Sequence, residues 1–395
     1  MAYSWYGNFV PAADMKKRIP LFEKALELDP LSTVVLCNLG NDLRRSGRTD
    51  EAVARFRRAI EIDPGSTCGY VGMANAYGDN LNQPEEALRF HRKAIEADPG
   101  NLRLRVDLAN RLRGMGRYDD ALSECRAVIQ KDPDLAAAYQ AMGDAYAQQG
   151  RLDEAVRSQR SAVDKDPDAW GPKLWLFLRY LNIGDEAAAA DIDHRIATMR
   201  PEVTFARLVS AHLHLFRGEM EAAENEARSF WQKSPDNGRD LVWGFDMRAG
   251  HAAEARDLYR PSNPELFEGA DPRIGSTNVG SAIRVAAAEL KLGEQKHAEM
   301  LLGKCEAYIG SRDEGTRRAG WRSQRVQIHA LMGRKDEALK TLRQAIDDGF
   351  RPGSKPFLLD PTVDSLRDDP RFIAMVKEIS ADVERMRRAF AAERK

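Results

Sequence analysis

Apolar positions recur along this chain at helical spacing, in short blocks parted by polar turns. Over residues 33–64, one block carries Leu36, Leu39 and Leu43 and the next Val53, Phe56, Ile60 and Ile62. Each set lines one face of an α-helix. Gly47 parts the two blocks. Thr49 stands where a helix cap is needed, and Asp50 and Glu51 sit at the positive end of the second helix dipole. Pro64 stops the second helix, because it lacks an N–H and restricts the residue before it. The pattern predicts a hairpin: helix, glycine turn, helix, proline stop.

The same punctuation returns at a fixed period. Pro30, Pro64, Pro99, Pro133, Pro167, Pro201 and Pro235 follow one another at intervals of 34, 35, 34, 34, 34 and 34 residues. Asp precedes the first five. Between the prolines, Gly47, Gly116, Gly150, Gly184, Gly218, Gly250, Gly293 and Gly333 are each followed five residues later by an alanine: Ala52, Ala121, Ala155, Ala189, Ala223, Ala255, Ala298 and Ala338. Asn82 and Ala87 keep the same spacing in the remaining repeat. Asn is the other residue that tolerates a left-handed helix end, so the exception obeys the rule. The single 35-residue interval predicts one extra residue in the turn over 78–84.

This pattern resembles the tetratricopeptide repeat (TPR) family, whose 34-residue hairpins carry small residues where helices cross. Here those places hold Gly40, Ala52 and Ala59, then Ala74, Ala87 and Ala94, then Gly143, Ala155 and Ala162. The resemblance implies an all-α right-handed solenoid of about nine full repeats. A partial repeat over 1–32 precedes them and a C-terminal capping helix follows. Phe177, Ile196 and Phe230 replace small residues downstream, so the array is expected to be irregular there. The domain organisation reads as a TPR array over 1–260, a Pro/Gly-rich loop over 261–278, two divergent hairpins over 279–346 and a cap over 347–395 ending in a helix to about Ala392. The closing stretch FLLDPTVDSLRDDPRF resembles the end of TPR regions in bacterial multi-domain regulators, namely class III nucleotide cyclases and membrane-anchored winged-helix transcription regulators.

Composition narrows the function. Lys and Arg number 60 against 61 Asp and Glu, for a formal net charge of −1, which argues against a nucleic-acid partner. No apolar run is long enough to span a membrane, and the start MAYSWYGNFVP is unlike a signal peptide. The reading is cytoplasmic for the chain as given, and periplasmic if it belongs to a membrane-anchored regulator. Cys37, Cys68, Cys125 and Cys305 lie far apart without a CxxC, so neither a disulfide framework nor zinc is expected, and cysteines within helices read as buried small apolar residues.

No catalytic constellation stands out. The seven histidines are scattered, and His212 and His214 are too close in sequence to share a helix face. GSTNVGS at 275–281 lacks the lysine of a phosphate loop. The acidic pairs Asp50/Glu51, Glu85/Glu86 and Asp119/Asp120 sit at helix starts, where the dipole accounts for them. The chain therefore reads as no enzyme, with no cofactor and no metal.

The resemblance implies that the first helix of each hairpin lines an inner groove. Inward positions would include Asn38, Asn41, Arg44, Asn75, Arg103, Asp107, Asn110, Arg113, Gln140 and Asp144. Asn41, Asn75 and Asn110 hold one place in three successive repeats, with Asp144 next; an amide offers both donor and acceptor to a peptide backbone, and equally serves packing. Of the carboxylate clamp that grips chaperone C-termini, only two of five places match, so that function is not carried over. Repeats five and six have an apolar inner face instead, including Trp175, Leu178, Phe205, Leu208 and Phe216, which is expected to pack within the chain, with the 261–278 loop a candidate cover. The function expected is a non-catalytic scaffold binding a protein or peptide, a sensor or assembly segment of a larger bacterial regulator. The alternative is the TPR regulatory region of an enzyme, such as a nucleotide cyclase, whose catalytic domain is absent from this chain.

Overall fold

A computed structural model describes residues 15–199, 205–268, 271–275, 277–313, 319–351 and 359–392; within these, the side chains of residues 15, 16, 199, 205, 236, 312, 313, 319 and 320 are excluded. The chain divides into two compact units, Met1–Pro133 and Asp134–Lys395. In the first, α1 (Met15–Leu28) precedes three hairpins: α2 (Thr33–Arg45) with α3 (Thr49–Ile62), α4 (Thr67–Asn75) with α5 (Pro84–Ala97), and α6 (Leu102–Gly114) with α7 (Tyr118–Lys131). The second unit continues with α8 (Ala136–Gln148), α9 (Leu152–Lys165), α10 (Trp170–Ile183), α11 (Glu186–Met199), α12 (Phe205–Arg217) and α13 (Met220–Lys233). There follow α14 (Pro235–Ala249), α15 (Ala252–Asp257), α16 (Val279–Leu292), α17 (Gln295–Asp313), α18 (Ala319–Leu331), α19 (Lys335–Asp347) and α20 (Pro370–Ala392). The described residues form helices and turns only, a helical-hairpin solenoid.

The turn ladder has the conformation its residues require. All eight ladder glycines have φ between +73° and +84°, and Asn82 is the one described non-glycine residue at positive φ, +52°. The extra residue of the second repeat is taken up at the start of the expected stretch 78–84 and just before it. A π-helical turn over Ala76–Asn80 absorbs it at the end of the first helix, which leaves the ladder spacing intact. The predicted cap Thr49 is corrected: Arg48 is the cap residue, without a side-chain bond to the backbone, and it pairs with Glu51 instead.

Small residues sit where helices cross. The Phe56 ring of α3 is fully buried between α2 and α4. A Cβ on Gly40 would lie 2.6 Å from its Cε1, and one on Gly72 would lie 2.6 Å from its Cζ and closer to two other ring carbons. Ala52, Ala59, Ala155 and Ala162 are fully buried as well. Phe177 and Phe230, the large substitutes downstream, are also fully buried.

Cysteine chemistry departs from expectation. Cys37 of α2 and Cys68 of α4 form a disulfide, with Cα atoms 6.1 Å apart, and Cys68 is exposed. Cys125 and Cys305 are free and buried; burial pushes the Cys305 thiol up to about 12.

The second unit closes on itself. Its last helix, α20, packs against α9, α10 and α19, putting Phe372, Ile379, Val383 and Phe390 into one core with Val156, Phe177 and Tyr180. Arg351 pairs with Asp382 of α20 at 2.7 Å, both side chains largely buried. Leu174, Leu178 and Leu181, part of the apolar stripe, pack against this same core. The described residues of the 261–278 loop pack elsewhere. Its Leu266, Phe267 and Ile274 pack with Tyr259, Val279 and Leu301. Asn278 ties the loop down, accepting from Gly275 N at 2.8 Å and donating to Glu265 Oε1 at 2.9 Å.

Candidate functional site

The first unit lays its first helices side by side, and a row of polar bonds joins them. Cys37–Cys68 links α2 to α4. Arg44 of α2 donates from Nη1 to Asp79 Oδ2 and Asn80 Oδ1, each at 3.4 Å, and Asn80 Nδ2 donates back to the Arg44 carbonyl at 3.3 Å. Arg111 of α6 donates from Nη1 to Asp79 Oδ1 at 2.6 Å and from Nη2 to Asn75 Oδ1 at 3.0 Å. The π-helical turn carries Asp79 and Asn80, so it supplies an anchor point, Asp79, to both arginines. Gly78 is needed here: a Cβ would sit 2.5 Å from Arg111 Nη1.

Electrostatics follow burial. Desolvation lowers the Arg44 pKa, and the Asp79 carboxylate offsets part of that. Desolvation raises Asp107, against the pull of Arg103 and Arg111. His91 of α5 is buried behind the row, and neither ring nitrogen has a partner among the described residues. Burial, helped by repulsion from Arg111, pushes its pKa down to about 4.

The candidate residues divide into committed and open groups. Asn75 accepts from Arg111, and Asp144, in the second unit, accepts from Arg179 at 2.7 Å, both side chains largely buried. In each pair the ladder residue is held by an arginine on the next first helix. Asn41 and Asn110 are half-buried and make no side-chain hydrogen bond among the described residues. Asn38 is half-buried too, and Arg103 is exposed. Arg113 keeps a buried Nε without a partner among the described residues. Of the apolar set, Trp175 is 39% exposed beneath the Arg179 guanidinium, 5.7 Å from the ring centre. Leu178 joins the core, Leu208 lines a cavity, Phe216 is half-buried, and the Phe205 side chain lies outside the described residues. Sequence reasoning missed Arg111, Asp79, Asn80 and the disulfide. No group of three or more His, Cys, Asp or Glu among the described residues has the arrangement of a metal site. No described helix is long and apolar enough to cross a membrane.

Two tetratricopeptide repeat family profiles match the chain, one over residues 34–66 and one over residues 112–178. No curated protein matches the chain. Among solved structures, the chain is similar to PilF of Pseudomonas aeruginosa, at 18% identity over 52% of this chain and 93% of that one, with a TM-score of 0.41. It is similar to PilW, a type IV pilus biogenesis factor, at 16% identity over 52% and 94%, TM-score 0.43. A tetratricopeptide repeat protein from Parabacteroides merdae matches at 14% identity over 76% and 99%, TM-score 0.38.

Proposed function

The chain carries tetratricopeptide repeats, the framework of a protein-interaction scaffold, and we propose that its first unit holds an extended peptide along α2, α4 and α6. The observation that carries this reading is the unequal state of the asparagine ladder. Asn75 is tied to Arg111, whereas Asn41 and Asn110 on either side keep their amides open on half-exposed helix faces. An open amide can give and accept a hydrogen bond at once, as a peptide backbone demands. Arg103 and Arg113 favour acidic groups on that peptide, whereas Arg44 is held by Asp79 and Asn80. Chemistry is not part of the reading: the polar groups of the row are engaged with one another, without a nucleophile and base in register. The resemblance of the closing segment to regulator TPR regions gives the reading its most concrete form, a sensor or assembly segment of a larger regulator.

The test uses the full chain and the tightest peptide selected from an unbiased display library. Replacing Asn41, Asn75 and Asn110 together by Ala weakens binding while helicity is kept, and replacing Asn41 and Asn110 alone accounts for most of the loss. Unchanged affinity in both variants assigns the ladder to packing and ends the proposal.

A further inference from the structure

Within the second unit, the 3₁₀-helical segment Pro361–Leu366 packs against α14, α16 and α18. Under it lies a cavity of about 310 Å³, lined from α12, α14, α16 and the 360–361 corner. That is the lower end of the range for small-molecule sites. Its walls are mainly apolar: Leu208, Leu215, Leu241, the Trp243 ring and Pro361. Four charged side chains also reach it, and each is already engaged. Arg284 pairs with Asp240 at 3.2 Å and lies over the Trp243 ring. Asp240 also accepts from the Tyr259 hydroxyl at 2.6 Å. Arg248 donates from Nη2 to the Leu359 carbonyl at 2.8 Å. Asp360 accepts from Thr362 N at 2.9 Å and from Gln327 Nε2 at 2.8 Å. Two cations and two carboxylates leave the lining neutral.

Two lining residues, Trp243 and His212, each carry a polar group outside this balance. Trp243 is 3% exposed, and its Nε1–H has no acceptor among the described residues. An orphaned buried donor of this kind is uncommon in folded proteins. His212 Nδ1 lies 2.7 Å from the Leu208 carbonyl. A carbonyl only accepts, so Nδ1 carries the proton and Nε2 is left as an acceptor in the neutral ring. Burial favours that neutral ring. Asn237 also lines the cavity, its Nδ2 donating to Ser234 Oγ at 2.9 Å. The cavity thus offers apolar walls, the indole donor, the imidazole acceptor and the Asn237 amide, with no net charge.

We propose that this cavity binds a small, uncharged, flat molecule that carries a hydrogen-bond acceptor and a donor, of the aromatic amide or heteroaromatic class. The acceptor meets the Trp243 indole, which tilts to open its N–H to the cavity, and the donor meets His212 Nε2. A charged ligand is disfavoured, because it would enter a largely apolar space whose four ionic groups sum to zero charge and are already hydrogen-bonded. The site lies in the second unit and does not depend on the peptide reading of the first.

Indole-3-carboxamide is the probe, with the anion indole-3-carboxylate and the cation tryptamine as its charged counterparts. Saturation-transfer NMR titrations on the full chain measure each affinity. The neutral probe binds, and both charged ones bind at least tenfold more weakly. Trp243→Phe keeps the ring, removes the donor and weakens the neutral probe at least tenfold. Gly244→Leu fills the cavity; a Cβ there meets nothing nearer than Arg248 Nη2 at 3.7 Å, so the fold has room for it. That variant melts as the parent does and loses the probe. Absence of binding by the neutral probe at millimolar concentration overturns the proposal. So does a charged probe that binds as well, or affinity for the neutral one unchanged in both variants.

Discussion

Substituting Gly72→Ala tests the crossing of α2, α3 and α4 with a change of sign. In an ordinary helix interior, Gly→Ala stabilises by about 0.5–1 kcal/mol, because alanine loses less backbone entropy. Here the added Cβ would enter the Phe56 ring, 2.6 Å from Cζ and nearer to two other carbons. Gly40 already approaches the same ring atoms, where a second Cβ would be 2.6 Å from Cε1, and the ring is fully buried. Overpacking of a rigid core costs about 1–3 kcal/mol. Set against the helix gain, the net is a destabilisation of about 1–2 kcal/mol, or roughly 5 °C in melting temperature. Gly303→Ala in α17 is the control, because a Cβ there meets nothing within 4 Å. It is expected to stabilise by about 0.5–1 kcal/mol. Thermal melts followed by circular dichroism read both, and a double-mutant cycle with Phe56→Leu should remove most of the Gly72→Ala penalty. A Gly72→Ala melt raised like that of Gly303→Ala would refute the crossing geometry.

Two further outcomes follow from the first unit. The Cys37–Cys68 bond closes a loop at a sequence separation of 31. The loop-entropy account then gives it about 3–4 kcal/mol of stability. Reduction, or Cys37→Ser with Cys68→Ser, lowers the melting temperature, and thiol titration of the unfolded chain counts two thiols before reduction and four after; four before reduction would exclude the bond. His91 supplies a pH dependence. Its folded pKa of about 4 lies below the ordinary value of 6.5, so the unfolded chain takes the proton first. Its contribution is whole above pH 6.5 and is lost as pH falls from there toward 4, by about 3 kcal/mol at most. Urea midpoints between pH 7 and pH 4 should fall more steeply for the parent than for His91→Phe, and parallel slopes would remove His91 as the cause.

The hairpin plan was open to reading because each turn repeats a residue that its backbone demands, and Asn82 holds the same left-handed corner as the glycines. The same spacing places the added residue of the second repeat only to within a few residues. An intact Gly/Asn–Ala spacing points away from the turn and into the helix before it. The disulfide joins two repeats and has no local motif. Set against the 34-residue period, a separation of 31 puts Cys68 one helical turn short of the place equivalent to Cys37, on the neighbouring first helix. The arginine bonds across repeats follow a related offset, 36 residues for Asn75 and Arg111 and 35 for Asp144 and Arg179. What the ends of the chain do was least legible. Phe372, Ile379, Val383 and Phe390 share a helix face, yet a face alone does not say that it returns to α9 and α10 rather than capping the array outward.

The claim that the first helices of the first unit form the binding surface is met most directly by hydrogen–deuterium exchange on the full chain, with and without the display-selected peptide. Slowed exchange is expected in α2, α4 with its π-helical turn, and α6, with α3, α5 and α7 little changed. Protection confined to the second helices, or none in the first unit while the peptide is bound, would contradict it.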